Sequence, residues 1–390
     1  MATDPKSFAQ RFDVDERRRQ GHEKNPVAHQ REALGNLRAW FEQRNKVSGA
    51  LMVLPTGGGK TLTASHFLAS CPLSEGYKLI WSAHTHHLLT QAAEGFGDAI
   101  PAITSGRAKL QARVVSGATG HYRVQDIEPD DDLLFISIQT LHKALGKRQR
   151  QVQAFLKSAP KLMLVIDEAH HSPARTYREV VRKLRARRNT RLDILGLTAT
   201  PTYTQVAKLG WLWDTFPQKI VYEVTAERLM TEGILSRHRW IPHRTNYEPT
   251  FDTAQIAKWH KTAKDLPENV VTELANQQDR CEAIANKYDR DKFGKTVIFA
   301  DRITQCDQLV ALLKARGWKA EAVCSETERR LDYEERRTRT SDNNKKHIDD
   351  LKAGKLDVLV NVRMLTEGID IPDLETVFLT RQTRSKILLH

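Results

Sequence analysis

Ala50-Leu51-Met52-Val53-Leu54-Pro55-Thr56-Gly57-Gly58-Gly59-Lys60-Thr61-Leu62-Thr63-Ala64-Ser65-His66 decides the fold. The apolar run from Ala50 to Leu54 reads as a buried parallel strand, three glycines follow, and Lys60-Thr61 open a segment of helical character. That order makes a phosphate cradle. Glycines let backbone N–H groups face an anion without Cβ clashes, and the helix N-terminus adds partial positive charge. Lys60 would reach the β- and γ-phosphates, and the Thr61 hydroxyl would ligate Mg2+. The strict loop pattern has glycine where Leu54 stands, so the match is incomplete.

Further along, Leu162-Met163-Leu164-Val165-Ile166-Asp167-Glu168-Ala169-His170 reads as a central buried strand whose carboxyl end presents two acids. Asp167 can hold Mg2+, and Glu168 is placed to deprotonate the water that attacks a γ-phosphate. An acidic helix cap would explain either carboxylate alone, but not the pair downstream of a Gly-Gly-Gly-Lys-Thr loop. Leu192 to Leu197 forms another buried strand ending in Thr198-Ala199-Thr200, whose hydroxyls could hydrogen-bond His170 or Glu168 and relay the phosphate state.

The 390 residues, 40% hydrophobic and 28% charged, suffice for two domains of ordinary size. A formal net charge of +13 points to a polyanionic partner. Cys71, Cys281, Cys306 and Cys324 are scattered without metal-ligand spacing, which fits a reducing cytoplasm and no zinc site. There is no signal pattern and no apolar run long enough to span a bilayer, so no membrane role is expected.

Residues 1–25 read as a polar, solvated N-terminal arm with a possible short helix around Glu16 to Arg19. A helix from Pro26 carries Val27, Leu34, Leu37, Trp40 and Phe41 at helical spacing. Its Gln30 could select ATP by pairing with the N6/N7 edge of adenine. Strands follow at Lys78 to Ala83, weakly at Val114-Val115, and at Leu133 to Ser137, alternating with helices as a parallel sheet requires.

Together these motifs resemble the superfamily 2 helicase core of the DEAD/DEAH-box type. Pro55 to Thr61 looks like its motif I, Asp167-Glu168-Ala169-His170 motif II, Thr198-Ala199-Thr200 motif III, and Gln30 the adenine-reading glutamine. Ile80 to Gln91 resembles motif Ia, with His84 and Thr85 where the family usually has proline. The wording around Asp167 to Pro173 and Leu365 to Pro372 is most similar to the branch of restriction-enzyme motor subunits and XPB-like DNA helicases. The resemblance implies an α/β fold of two RecA-like domains, each a mainly parallel sheet with helices on both faces. It also implies ATP and Mg2+ as cofactors and a nucleic-acid partner, DNA preferred over RNA. Thr56, Gly57, Gly58, Gly59, Lys60 and Thr61 would bind the nucleotide, with Gln139 and Thr140 on the nucleic-acid face.

The expected organisation is an arm over 1–25, a first ATP-binding domain over 26–245, a hinge over 246–267 and a second domain over 268–390. In the second half, Lys295 to Ala300 resembles motif IV and Leu365 to Pro372 motif V, where Thr366 and the Gly368 backbone would touch nucleic-acid phosphate, Gly368 and Asp370 would serve the nucleotide, and Asp370 would touch the ribose or the coupling water network. Motif VI, whose arginines contribute about 10³ to 10⁵ in rate in comparable phosphoryl transfers, does not follow before His390. Hydrolysis by this chain alone is therefore expected to be poor, and either a continuation past His390, the favoured expectation, or an arginine supplied by a partner is expected.

Three basic clusters stand out: Lys143 with Lys147, Arg148 and Arg150; Arg182 to Arg191; and Arg336, Arg337 and Arg339. The first is expected on the strand-holding face, the second as a solvated helix surface. The leading expectation is an ATP-dependent helicase or translocase. Its rivals are an ATP-gated nucleic-acid clamp and the motor subunit of a restriction or defence complex with a nuclease or methyltransferase partner.

Overall fold

The computed structural model describes residues 9–21, 24–43, 48–106, 108–201, 206–243, 268–324, 341–362, 365, 371 and 373–380. The chain divides into two units, 1–238 and 239–389.

The first unit is built on eight strands: β1 (Ala9–Asp13), β2 (Ser48–Val53), β3 (Lys78–Ala83), β4 (Lys109–Val115), β5 (Leu133–Ser137), β6 (Lys161–Ile166), β7 (Arg191–Thr198) and β8 (Ile220–Glu223). Their order across the sheet is β1-β4-β5-β3-β6-β7-β2-β8. Every pair is parallel except β1 with β4. All six residues of β2 are buried, as are residues 162–166 of β6, which is why both read as unbroken apolar runs rather than alternating ones. Alternate side chains divide between two cores. Met52, Trp81, Val165 and Leu197 face one, with α2 (Ala28–Gln43), α3 (Lys60–Leu68) and α4 (His86–Phe96) covering them. Leu51, Ile80, Leu164 and Ile194 face the other, under α5 (Ile138–Gly146), α6 (Arg150–Lys157), α7 (Arg175–Arg185) and α8 (Val206–Thr215).

The solvated arm expected over 1–25 is corrected for residues 9–20. Phe12 and Val14 are buried, β1 pairs with β4, and Asp13 caps the helix α1 (Val14–Gln20) by accepting from the Glu16 amide at 2.9 Å. Two apolar residues in a five-residue edge strand are too few to show periodicity, and burial against β4 supplies what local pattern lacks.

The second unit holds a four-stranded parallel sheet of β9 (Thr296–Phe299), β10 (Ala320–Cys324), β11 (Val358–Val362) and β12 (Thr376–Leu379), in the order β10-β11-β9-β12. Helices Gln278–Lys287 and Ile303–Ala315 pack Ile284, Cys306 and Leu309 on one face, and Leu351 of helix Ser341–Lys352 packs on the other. Buried Arg280 faces Asp301 at 3.7 Å and donates to the carbonyls of Leu274 and Thr380, tying the first helix to the end of β12. The expected hinge, 246–267, lies outside the described residues.

Candidate nucleotide site

The glycine loop leaves β2 and enters α3 at the carboxyl edge of the sheet. Gly57 and Gly59 have φ of +80° and +81°, which L side chains adopt only with strain. Space is as restrictive as conformation. A Cβ on Gly59 would lie 2.1 Å from Gln30 Nε2, and one on Gly57 2.9 Å from Leu235 Cδ2. The Gly58 amide donates to the Pro55 carbonyl at 3.0 Å, and Lys60 Nζ donates to the Leu54 carbonyl at 3.4 Å, folding the ammonium into the cradle. Gln30, buried on α2, accepts from the Val27 amide at 3.0 Å and reaches the Gly58 carbonyl at 3.4 Å. Thr56 is exposed, and Thr61 is half-buried on the first turn of α3.

β7 lies between β2 and β6, so the acidic pair and the loop emerge from the same edge with one strand between them. The Leu54 amide donates to the Thr198 carbonyl at 3.1 Å, joining the loop's first residue to the end of β7. Asp167 is buried and fixed through both oxygens: Trp81 Nε1 donates to Oδ2 at 3.3 Å and the Glu168 amide to Oδ1 at 3.0 Å. Burial pushes its carboxyl up to about 6, with the Glu168 charge adding to the rise. Lys60 opposes it, so loop lysine and strand carboxylate share one electrostatic environment. Glu168 has φ of +49°, an uncommon conformation for a residue with a Cβ. Its Oε2 meets His170 Nδ1 at 3.3 Å, and the same nitrogen meets Thr198 Oγ1 at 3.3 Å. Thr198 Oγ1 also accepts from the Thr200 amide at 3.1 Å. Thr200 thus enters the cluster through its backbone.

Gln139 and Thr140 begin α5 at the end of β5, on the same edge of the sheet. Gln139 is exposed and reaches the His84 carbonyl at 3.4 Å, while Thr140 accepts from Ser137 Oγ at 2.7 Å. Thr366, Gly368 and Asp370 lie outside the described residues. Several supporting residues escaped sequence reasoning. His29 is buried and donates from Nε2 to the Gly58 carbonyl at 2.8 Å. Leu229, on α9 (Ala226–Thr231), and Leu235 close over the loop from far along the chain, and Arg228 holds Glu32 of α2 at 2.9 Å. His171 packs at a tilt against His84 at 4.4 Å and against His170 at 4.2 Å between ring centroids, linking the β3 loop to the acidic cluster. The adjacency of His29 to Gln30 was the one visible signal. The others required a fold.

Such a set suits a magnesium-bound nucleoside triphosphate. The glycines have no room for a Cβ, an ammonium and a hydroxyl open the helix, and a divalent cation would hold the buried carboxylate ionised.

Residues 23–203 match the model of the res subunit of type III restriction enzymes, and residues 278–388 match the helicase conserved C-terminal domain. Together the two matches span the two halves of a superfamily 2 helicase core. IRC3 of Saccharomyces cerevisiae, provisionally named an ATP-dependent helicase, is 27% identical over 351 residues, covering 86% of this chain and 44% of that protein. Rad25 of Halobacterium salinarum, provisionally named a DNA 3′–5′ helicase, is 25% identical over 350 residues, covering 86% and 47%. The chain spans about half the length of the curated relatives it matches. Among solved structures, the ATP-dependent type ISP restriction-modification enzyme LlaBIII bound to DNA superposes with a TM-score of 0.56 at 19% identity, covering 91% of this chain and 26% of that one. A variant of S. cerevisiae Dbp5 bound to RNA and ADP BeF3 gives 0.51 at 16%, covering 91% and 74%. These likenesses establish the fold: both units are RecA-like.

Proposed function

We propose that the chain is an ATP-driven motor on nucleic acid, a helicase or translocase, with an ATP-binding domain over 26–245, a hinge over 246–267 and a second domain over 268–390. The observation that carries it is that the glycine loop and the Asp167-Glu168 pair leave one sheet edge with only β7 between them, joined by the Leu54 amide on the Thr198 carbonyl and by the Glu168-His170-Thr198 cluster. In this reading Gly57, Gly58, Gly59 and Lys60 hold the phosphates, Thr56 flanks them and Gln30 reads the adenine. Thr61 and Asp167 would hold Mg2+, which supplies charge neutralisation at the phosphates when bound.

Glu168 accepts the proton of the attacking water, with His170 bearing on its carboxylate and Thr198 on His170. Thr198 and Thr200 pass the occupancy of this cluster onward. Gln139, Thr140 and Thr366 contact the nucleic-acid backbone, and Gly368 and Asp370 complete the nucleotide and coupling contacts from the second half. The names of the relatives and of the DNA-bound neighbour support DNA over RNA. They also support kinship with restriction motors that work with nuclease or methyltransferase partners. Four scattered cysteines support a cytoplasmic setting. Among the described residues no helix is long and apolar enough to cross a membrane.

Measuring strand displacement or triplex displacement beside ATP turnover tests the reading. A motor shows nucleic-acid-stimulated turnover with movement. Nucleic-acid binding gated by ATP with neither turnover nor movement would replace the motor by a clamp.

A further inference from the structure

The chain's basic excess is not evenly spread. Residues 133–192 contain fourteen lysines and arginines against three carboxylates, an excess of eleven within a whole-chain net charge of +13. Two of those carboxylates, Asp167 and Glu168, sit at the nucleotide edge. The third, Glu179, is taken up by His142 and Arg175, each at 2.7 Å.

The fold carries many of these cations, though not Arg175 and Arg178 at the start of α7, to the sheet's amino edge. A helix that follows a parallel strand runs back toward the sheet's amino edge, so the ends of α5 and α7 lie away from the glycine loop. This corrects the expectation that Lys143 to Arg150 would line the strand-holding face. Lys183 Nζ lies 3.6 Å from a Cβ built on Gly146, bringing the last turns of α5 and α7 together. Arg187 donates to Gln153 Oε1 at 3.0 Å, drawing the turn after α7 onto α6. Lys147, Arg148, Arg150, Arg182 and Arg188 are exposed around these junctions.

We infer that this amino-edge surface, formed by the ends of α5 and α7 and the start of α6, binds the phosphate backbone of a nucleic-acid duplex, separately from the nucleotide edge. Local stability does not explain the arrangement. Arg150 is the first residue of α6, where a cation opposes the helix dipole. Arg148 has φ of +49°, a conformation costing about 1 kcal/mol for a residue with a Cβ. Gathering like charges adds repulsion that an anion would relieve.

A duplex fits better than a single strand. Phe155 and Tyr177, the aromatic residues of these helices, are buried, so the surface lacks the stacking platform that single-strand binders use. The acidic turn over 128–132 flanks the surface at the far end of α6, where Ser158 Oγ donates to the Pro129 carbonyl at 2.6 Å. Arg113 already engages both Glu128 and Asp131 there.

The test combines Lys147→Glu, Arg148→Glu, Arg182→Glu and Arg188→Glu in the full chain. Binding of a blunt DNA duplex and of single-stranded oligothymidine is followed by fluorescence anisotropy between about 50 and 200 mM salt. Duplex affinity should fall at least about tenfold, and the slope of log affinity against log salt should flatten by about 3. Oligothymidine affinity and oligothymidine-stimulated ATP turnover should stay within about twofold. A glutamine version of the same four positions should show the same pattern at smaller amplitude, and it carries the test if the glutamate version does not fold. Unchanged duplex affinity and slope, or equal losses for both ligands, would overturn the assignment without bearing on the nucleotide site.

Discussion

Asp167 shows how a residue can be costly to the fold and still be retained. Its carboxyl binds a proton more tightly folded than unfolded, from an ordinary value of 3.8 up to about 6. Its contribution is therefore favourable at low pH and is lost as pH rises from about 4 to about 6; above that window, burying the anion costs up to about 3 kcal/mol. Asp167→Asn, which cannot ionise but loses one of the two acceptors, should lack the wild type's loss of stability between about pH 4 and pH 8, as read by thermal unfolding at both pH values. The change should come with loss of Mg2+-dependent ATP turnover. Gly59 is restrictive for another reason. Gly59→Ala places a methyl on Gln30 Nε2 and requires φ of +81°, so it should cost about 1 to 2 kcal/mol and weaken ATP binding. Adding Gln30→Ala relieves the contact but not the strain, so titration with a fluorescent ATP analogue should recover only part of the loss.

At the scale of elements, the β1-β4-β5 edge depends on a buried ion pair. Arg113 on β4 meets Asp131 at 2.9 Å, and Asp131 is fully buried. Arg113→Ala would strand that carboxylate and should cost about 3 to 5 kcal/mol in denaturant unfolding. Elements differ in how legible they are in sequence. β2 and β6 announce themselves because both faces are covered, leaving apolar runs that end in glycines or acids. β1 does not, because an edge strand with Phe12 as its described buried side chain has no period to detect. The support beneath the glycine loop is equally hidden: Leu229 and Leu235 arrive from about 170 residues away, and nothing local marks them as neighbours of Gly57 and Gly58. The basic cluster after Gln139 shows a third kind of limit. Its charge is plain in the sequence, but α5 carries it to the edge opposite the one that Gln139 occupies.

The chain has two α/β units with mainly parallel sheets, and in the described part of the first the glycine loop and the acidic pair emerge from one sheet edge. Its net charge of +13 is concentrated on that same unit, across the sheet from the acids. Nucleic-acid binding should therefore weaken steeply with salt while ATP binding changes little, a difference that parallel titrations at two ionic strengths would show. The central claim is that Lys60 and Glu168 serve one bound ATP in different capacities. Its most direct test is ATP binding and nucleic-acid-stimulated hydrolysis measured side by side on Lys60→Ala and Glu168→Gln. The account predicts that Lys60→Ala loses binding, whereas Glu168→Gln binds ATP as the wild type does and turns over about 10² to 10⁴ times more slowly. Wild-type turnover by Glu168→Gln would contradict it.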